Sequence, residues 1–389
     1  MTYAMTNDAS RPTIRILGTH GIPAAYGGFE TAAENVAIYL RDRGWRVVVY
    51  CQAAGSGEIR EDRWNGIERV TIFVSRDGWL GTSAFDWMSI RHALKFRDPC
   101  LTFGYNTAVF NILQRVLRVP NVINMDGIEW SRARWGKFRQ AILYANERVA
   151  CVIGDHLIAD HPCIEQHLRQ RVSPQKITTI TYGAHEVTDA LADVPRRLGL
   201  VPGRYLTLIC RPISENSILE LVQAFSARRR HHRLLVLGDY TPESDPYHRA
   251  VLEAASDEVM FPGAIYAPAD VAALRFHSLG YLHGHTVGGT NPSLVEALAA
   301  GNPVIAHDNP YNRWVAQDAA IYFHSTLTAD DRITELLGSA ALRQRLSTAS
   351  RTRHRSEFTW EHVAGQYESV LAPYVNASHR PPVPERKPA

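Results

Sequence analysis

The sequence predicts an α/β protein of two doubly wound halves, each built on a parallel sheet. Three observations predict it. Short β-branched runs alternate with amphipathic stretches along nearly the whole chain. Some runs are apolar without alternation, such as WRVVVYC at 45–51, which suits a strand covered on both faces. The alternation pauses once, across the polar, proline-containing stretch 186–203, and then begins again.

Residues 1–12 are polar, carry no pattern and read as a loose tail. The first strand is expected at 13–17 (TIRIL), followed by a glycine-rich loop at 18–28 (GTHGIPAAYGG). A helix over 29–43 places Ala33, Val36, Ala37 and Leu40 on one face, and Gly44 stands where a C-terminal cap belongs. Further strands are expected near 68–75, 100–103, 122–125, 156–159 and 177–181, with helices between them. In the second half, strands are expected near 205–210, 233–237, 259–261, 280–283 and 303–306. Helices are expected at 217–230, 246–255, 268–277, 293–300 and 328–336. The resulting domain limits are 13–190 and 203–357, then a C-terminal helix at 358–373. The Pro-rich tail 374–389 has the composition of a disordered segment.

Composition narrows the function. The 389 residues suit two or three domains at about 150 residues each. With 45% hydrophobic and 21% charged residues, the chain is neither disordered nor fibrous. No run approaches the roughly 18 apolar residues of a membrane span. No secretory leader pattern is visible. The five cysteines are scattered without a CxxC, so neither a disulfide framework nor a cysteine zinc site is expected. A reducing cytoplasm is the expected compartment. A net charge of +3 gives no argument for nucleic acid.

In open parallel sheets, ligands bind beyond the carboxyl ends of the strands. Two loops there stand out. In the first, Gly27 and Gly28 bare the backbone just before a helix, where amides and the helix dipole can face an anion. A dinucleotide fingerprint is absent. Gly18-Thr19-His20-Gly21 has the wrong spacing, and the second strand ends at Cys51-Gln52-Ala53 without an acid for a ribose diol. The second loop runs from His283 through Gly288, Gly289, Thr290, Asn291 and Ser293 to Glu296. Pro292 suits a first helical turn, whose free amides would meet phosphate oxygens. Glu296, a turn further on, can accept from a vicinal diol such as a ribose.

The segment HGHTVGGTNPSLVEALAAGNPVIAHDN (283–309) resembles the donor-binding segment of retaining GT-B glycosyltransferases of family 4. GIPAAYGGFET, DGIEWSRARW and RPISENSILE resemble, more narrowly, a bacterial subgroup containing rhamnosyltransferases of polysaccharide assembly. ITYGAHE and FTWEHVAGQYESVL fall where that family has its end-of-domain turn and its returning helix. The resemblance covers nearly all of 13–373. It implies a GT-B fold of two Rossmann-like domains facing across a cleft, the first binding acceptor and the second a nucleotide-diphosphate sugar. It further implies retention, no cofactor, no metal, and transfer onto a lipid-linked saccharide of exopolysaccharide, capsule or O-antigen assembly. The subgroup suggests dTDP-L-rhamnose as donor. An enzyme with that acceptor would lie against the inner face of the cytoplasmic membrane.

By the same resemblance, Arg211, Glu215, Asn216, His283, His285, Gly288, Gly289, Thr290, Asn291, Ser293 and Glu296 are expected to bind donor. Gly21, Tyr26, Gly27, Gly28 and Glu30 are expected in the phosphate or acceptor loop, with His20 near the transferred sugar. Asp126 and Glu129 follow the strand VINM and are expected to serve the acceptor, one of them as general base or both as ligands of sugar hydroxyls. Two positions depart from the family. The first glutamate of its glutamate pair falls on Gly288, and its lysine falls on Asn216. Diphosphate neutralisation then rests on Arg211, backbone amides and helix N-termini. Arg132, Arg134, Trp135, Lys137 and Arg139 form a basic, aromatic stretch, suited to anionic lipid, to an acceptor pyrophosphate, or to a solvated helix start. A sugar-nucleotide epimerase and a catalytically degenerate scaffold are the rival readings.

Overall fold

The computed structural model describes residues 11–25, 27–132 and 134–378, and the side chains of those up to 375. Tyr26, the start of the expected N-terminal tail (1–10) and the end of the C-terminal one (379–389) lie outside the described residues. The chain divides into two units. One holds the residues up to Ile180 and those from Ala364 onward; the other is Thr181–Val363.

The first unit runs β1 (Thr13–Leu17), α1 (Gly28–Asp42), β2 (Arg46–Ala54), β3 (Arg60–Trp64), β4 (Ile67–Val74), α2 (Gly78–Ala93) and β5 (Cys100–Phe103). It continues with α3 (Ile112–Val116), β6 (Asn121–Asn124), α4 (Lys137–Ile153), β7 (His156–Ala159), α5 (Pro162–Leu168) and β8 (Ile177–Thr179). Its sheet has the order β3-β4-β2-β1-β5-β6-β7-β8. All pairings are parallel except β3–β4. That hairpin adds a strand to those expected. Asn65 and Gly66 join its strands, and both have the positive φ (47° and 78°) that the favoured two-residue turn requires.

The second unit runs α6 (Asp193–Arg197), β9 (Tyr205–Ile209), α7 (Ile218–Ser226), β10 (Arg233–Leu237), α8 (Pro246–Glu253), β11 (Val259–Met260) and α9 (Pro268–Phe276). It continues with β12 (Gly280–His283), α10 (Pro292–Ala299), β13 (Val304–His307), α11 (Pro310–Ala316), β14 (Ala320–Phe323), α12 (Thr326–Gly338) and α13 (Ala340–Glu357). Its sheet is parallel throughout, in the order β11-β10-β9-β12-β13-β14. Leu206 and Leu208 of β9 pack with Leu221 of α7 and Leu336 of α12. Val304 and Ala306 of β13 pack with Leu294 and Leu298 of α10. Helices thus cover both faces, which is why the strands are uniformly apolar.

The last helix, α14 (Trp360–Ser378), crosses from the second unit into the first. It runs beyond the expected limit of 373 because its last turns are anchored. Val375 is buried, and the Tyr374 hydroxyl donates to the Asp155 carbonyl at 3.3 Å.

Each sheet has one point where the strand order reverses. In the first it lies between β1 and β5, in the second between β9 and β12. Such a point opens a crevice at the carboxyl ends of the strands. The two glycine-rich loops lie at these points.

Candidate functional site

In the first unit the loop after β1 folds back onto α1. The His20 amide donates to Glu30 Oε1 at 2.9 Å, and the Ala24 amide donates to Glu34. Glu30 is therefore a buried brace of the loop, and its carboxylate does not face solvent. Gly27 is the N-cap of α1 without a side-chain cap. The next two residues, Gly28 and Phe29, line a cavity of about 280 Å³ together with Gly18, His20, Gly27 and Gly104. Its far wall is α2, which contributes Asp86 and Ser89. Asp86 accepts from the Thr107 hydroxyl at 2.7 Å. Burial pushes its carboxyl up to about 6. The Ser89 hydroxyl is fully buried and has no partner. The start of α1 and the Asp86 and Ser89 side chains of α2 thus line one cavity. Gly21 lines a second, neighbouring cavity with Arg60 and Arg69.

Asp126 follows β6 and has φ 51°, a conformation that aspartate tolerates better than most residues. Its amide donates to Asn124 Oδ1 at 3.0 Å, and Asn124 in turn donates to the Tyr367 hydroxyl at 2.7 Å. The last helix thus holds the Asp126 turn. Burial and the nearby Glu129 charge raise the Asp126 carboxyl above the usual range. Glu129 was the second candidate for general base, and here the structure corrects the expectation. Its buried carboxylate is taken by Arg132 at 2.6 Å, Arg134 at 2.8 Å and the Trp135 indole at 3.3 Å. Both guanidiniums thus share one carboxylate, which leaves the cluster with one net positive charge, and Lys137 and Arg139 are exposed further along.

In the second unit the loops after β9 and β12 are locked together. Thr286 donates through both amide and hydroxyl to the Glu215 carbonyl, each at 2.9 Å. Gly284 makes this approach feasible, since a Cβ there would stand 2.1 Å from the Asn216 carbonyl oxygen. Arg211 is exposed at the end of β9, and no carboxylate pairs with it among the described residues. Asn216, expected to meet donor, is a correction. It is buried, and its amide donates to the Arg211 carbonyl at 2.7 Å, which shapes the turn that presents Arg211.

His283 is a second correction. It is wholly buried in β12, and burial pushes its imidazole down to about 3, so the ring is neutral. It supports His285, which stacks on it at 4.3 Å and is itself half-buried. The carbonyl of His285 accepts from Asn309 and Asn312, each at 2.9 Å.

The start of α10 is a third correction. Its amides are not free. Pro292 has none, Ser293 donates to Asn291 Oδ1 at 3.0 Å, and Leu294 and Val295 donate to the Asn291 carbonyl. Asn291 is therefore a helix cap. Ser293 is equally occupied: its hydroxyl donates to the Ile209 carbonyl at 2.7 Å and accepts from Arg275 at 3.1 Å. Thr290 is buried. An anion at this loop would meet Gly288 and Gly289. Gly288 stands in open space at φ 133°, where any side chain would be strained. A glutamate at that position would require a different loop.

Glu296 remains reachable, with its side chain 38% exposed. One oxygen is held at 2.8 Å by Arg275, whose side chain is only 4% exposed. Sequence reasoning missed Arg275, Asp86 and Ser89. Asp86 and Ser89 lie inside α2 and Arg275 in the last turn of α9, none of them within a motif, and only the fold brings each to its site.

Comparison with known proteins follows the same division. Residues 11–185 match a family described as "Domain of unknown function (DUF1972)". Residues 218–369 match one described as "Glycosyl transferase-like". The alpha-monoglucosyldiacylglycerol synthase of Streptococcus pneumoniae is 28% identical over 164 residues, 40% of this chain and 37% of that protein. The match thus spans little more than a third of that relative's length. Sucrose-phosphate synthase from Thermosynechococcus elongatus superposes with a TM-score of 0.80 at 18% identity, over 94% of this chain and 100% of that one. HepE of Anabaena, solved in complex with UDP, superposes with a TM-score of 0.72 at 15% identity, over 93% and 99%. The chain has the fold of these GT-B glycosyltransferases: two Rossmann-like α/β domains with parallel sheets.

Proposed function

We propose that the chain is a glycosyltransferase that takes a hexose from a nucleotide-diphosphate sugar and delivers it to a saccharide of polysaccharide or glycolipid assembly. The observation that carries this is the second-unit loop set: Glu296 held in place by Arg275, the open backbone at Gly288, and the exposed Arg211, which has no carboxylate partner among the described residues. Glu296 accepts from the ribose diol. The Gly288 and Gly289 amides and the planar fork of Arg211 receive the diphosphate, whose negative charge grows as the glycosidic bond breaks. His285 faces the sugar.

The acceptor belongs to the first unit. Its hydroxyl oxygen bonds to the anomeric carbon as the bond from that carbon to the phosphate oxygen breaks, and Asp126 takes the hydroxyl proton. Burial and the Glu129 charge raise the Asp126 carboxyl above the usual carboxylate range, which favours its holding the proton it takes. The cavity at the β1–β5 crevice, with Asp86 and Ser89, is sized for one sugar ring and supports acceptor binding there. Attack on the face the nucleotide leaves retains configuration, and no protein nucleophile or metal enters the step. The family resemblance favours dTDP-L-rhamnose as donor and a lipid-linked acceptor; HepE was solved with UDP and glucose. The test is a panel of UDP- and dTDP-sugars incubated with purified protein and lipid-linked saccharide. Product formed from one donor, with the anomeric configuration kept, supports the reading. Inverted product overturns the retaining mechanism.

A further inference from the structure

The inward face of α2 is polar where a helix packed on a sheet should be apolar. Thr82, Asp86 and Ser89 fall at i, i+4 and i+7, so they follow one another along one face of the helix. Phe85, Ile90 and Ala93 beside them enter the core in the ordinary way. Asp86 is 8% exposed and Ser89 0%. Among the described residues the Ser89 hydroxyl has no partner, and Asp86 accepts only from the Thr107 hydroxyl. A carboxylate can accept about four hydrogen bonds, so most of its capacity is unused. Burying a carboxylate and a hydroxyl in this state costs stability. Both residues line the cavity of about 280 Å³ at the β1–β5 crevice. A ligand in that cavity would supply the missing partners.

The rest of the lining indicates which ligand. No arginine or lysine stands among the described residues that line this cavity, and its two acids are Asp86 and Glu30. The arginines of this region, Arg60 and Arg69, line the neighbouring cavity instead. Burial raises the Asp86 carboxyl only to about 6, so it is ionised in mildly basic buffer. A phosphate or carboxylate brought into the cavity would meet that charge at short range, with no arginine or lysine beside it. A hydroxyl can donate to it. Phe29 and Phe103, with ring centroids 5.5 Å apart, add an aromatic wall. An aromatic wall with a few fixed polar groups suits a pyranose, which has apolar C–H faces and a rim of hydroxyls.

We propose that Asp86 and Ser89 read the hydroxyls of an uncharged hexose, the terminal sugar of the acceptor, and that Asp86 keeps uronic acids and phosphorylated sugars out of this cavity. That the hexose is the acceptor rests on the transferase reading above; the choice of a neutral sugar over an anionic one rests on the cavity lining. Gly27 and Gly28, bare of side chains, then make room for a sugar ring and not for a phosphate.

The test uses the full chain with two pairs of methyl glycosides, glucoside with glucuronide and galactoside with galacturonide. Binding is read by saturation-transfer NMR and titration with no donor present, and transfer to the same sugars is read separately. The wild type should bind a neutral member at least about tenfold more tightly than its uronide. Asp86→Asn keeps the shape and removes the charge. It should weaken the neutral sugar and narrow the gap within a pair to about threefold or less, which a packing role would not do. Ser89→Ala removes a hydroxyl that bonds nothing in the protein. Its melting temperature should hold while the neutral sugar binds about 2–10-fold more weakly. Uronides bound as tightly as their neutral partners, variants with wild-type affinities, or no binding of either class would overturn the proposal. The expected binding without transfer from any nucleotide sugar would support this site and overturn the transferase reading.

Discussion

Arg275 reaches Glu296 and Ser293 with the two ends of one guanidinium, at 2.8 and 3.1 Å. It thereby fixes the reachable carboxylate of the second unit against the start of α10. Arg275→Met should leave that carboxylate without its anchor. A charged hydrogen bond contributes roughly 1.5–3 kcal/mol, so nucleotide affinity should fall by about 10–150-fold. Arg275→Lys should recover part of it, because a point charge can hold Glu296 but not both partners. Calorimetric titration with UDP and dTDP on folded variants checks this. Lysine and methionine variants with the same affinity would mean that Arg275 serves packing only.

Arg211 should act later than Glu296. In the proposed reading its exposed guanidinium meets the diphosphate and not the nucleoside. Arg211→Ala should lower kcat more than it weakens nucleoside binding, and Arg211→Lys should recover little. Steady-state kinetics against donor concentration separates the two effects. A lysine variant with normal turnover would remove the bidentate role.

Asp126→Asn keeps shape and removes the base. Transfer should drop by the ~10²–10⁴-fold typical of a lost general base, with donor hydrolysis by water largely kept. The acting form is the carboxylate, so wild-type transfer should fall as pH drops through its raised pKa. That acid limb should lie above the range of an ordinary aspartate and vanish in the variant. Equal loss of donor binding and transfer would make Asp126 a shaping residue.

Asp86 makes a prediction about stability. Burial raises its folded carboxyl to about 6, above the ordinary 3.8 of an aspartate. The folded state therefore binds its proton more tightly than the unfolded chain does. The stability this gives is fully present below pH 4 and is lost as pH rises through about 6. The loss is on the order of 2–3 kcal/mol at 1.36 kcal/mol per unit. Asp86→Asn should raise the melting temperature at pH 8 and leave it nearly unchanged at pH 4. It should also weaken acceptor use. An equal effect at both pH values would exclude an ionised Asp86 in the folded protein.

How much of this was legible beforehand depended on the range of the physics. β1, β5, β7, β10 and β12 are short apolar runs between turn residues, and they lie where the sequence places them. The β3–β4 hairpin also carries a local sign, Asn65-Gly66, but its REDRW strand is polar and lies at an edge, so it lacks the apolar run that marks the other strands. The two glycine loops were found because glycine before a helix is a local signal. The occupied state of Asn216, Asn291 and Ser293 was not legible. Each is a polar residue in a binding loop, and only the folded chain supplies its partner: a carbonyl at Arg211 or Ile209, or the first turn of α10. Glu129 follows the same rule, since a carboxylate beside two arginines can be either bound or poised.

The most direct measurement is nucleoside diphosphate release from a panel of UDP- and dTDP-sugars, with wild type and Glu296→Ala compared at the same folded concentration. Glu296 is the reachable carboxylate to which the proposed function assigns donor recognition. The expected result is release from at least one sugar nucleotide by the wild type. In Glu296→Ala, the donor concentration needed should rise about 10–150-fold. Release at the same donor dependence in both proteins, or from no nucleotide sugar in either, would contradict the assignment of this site to donor transfer.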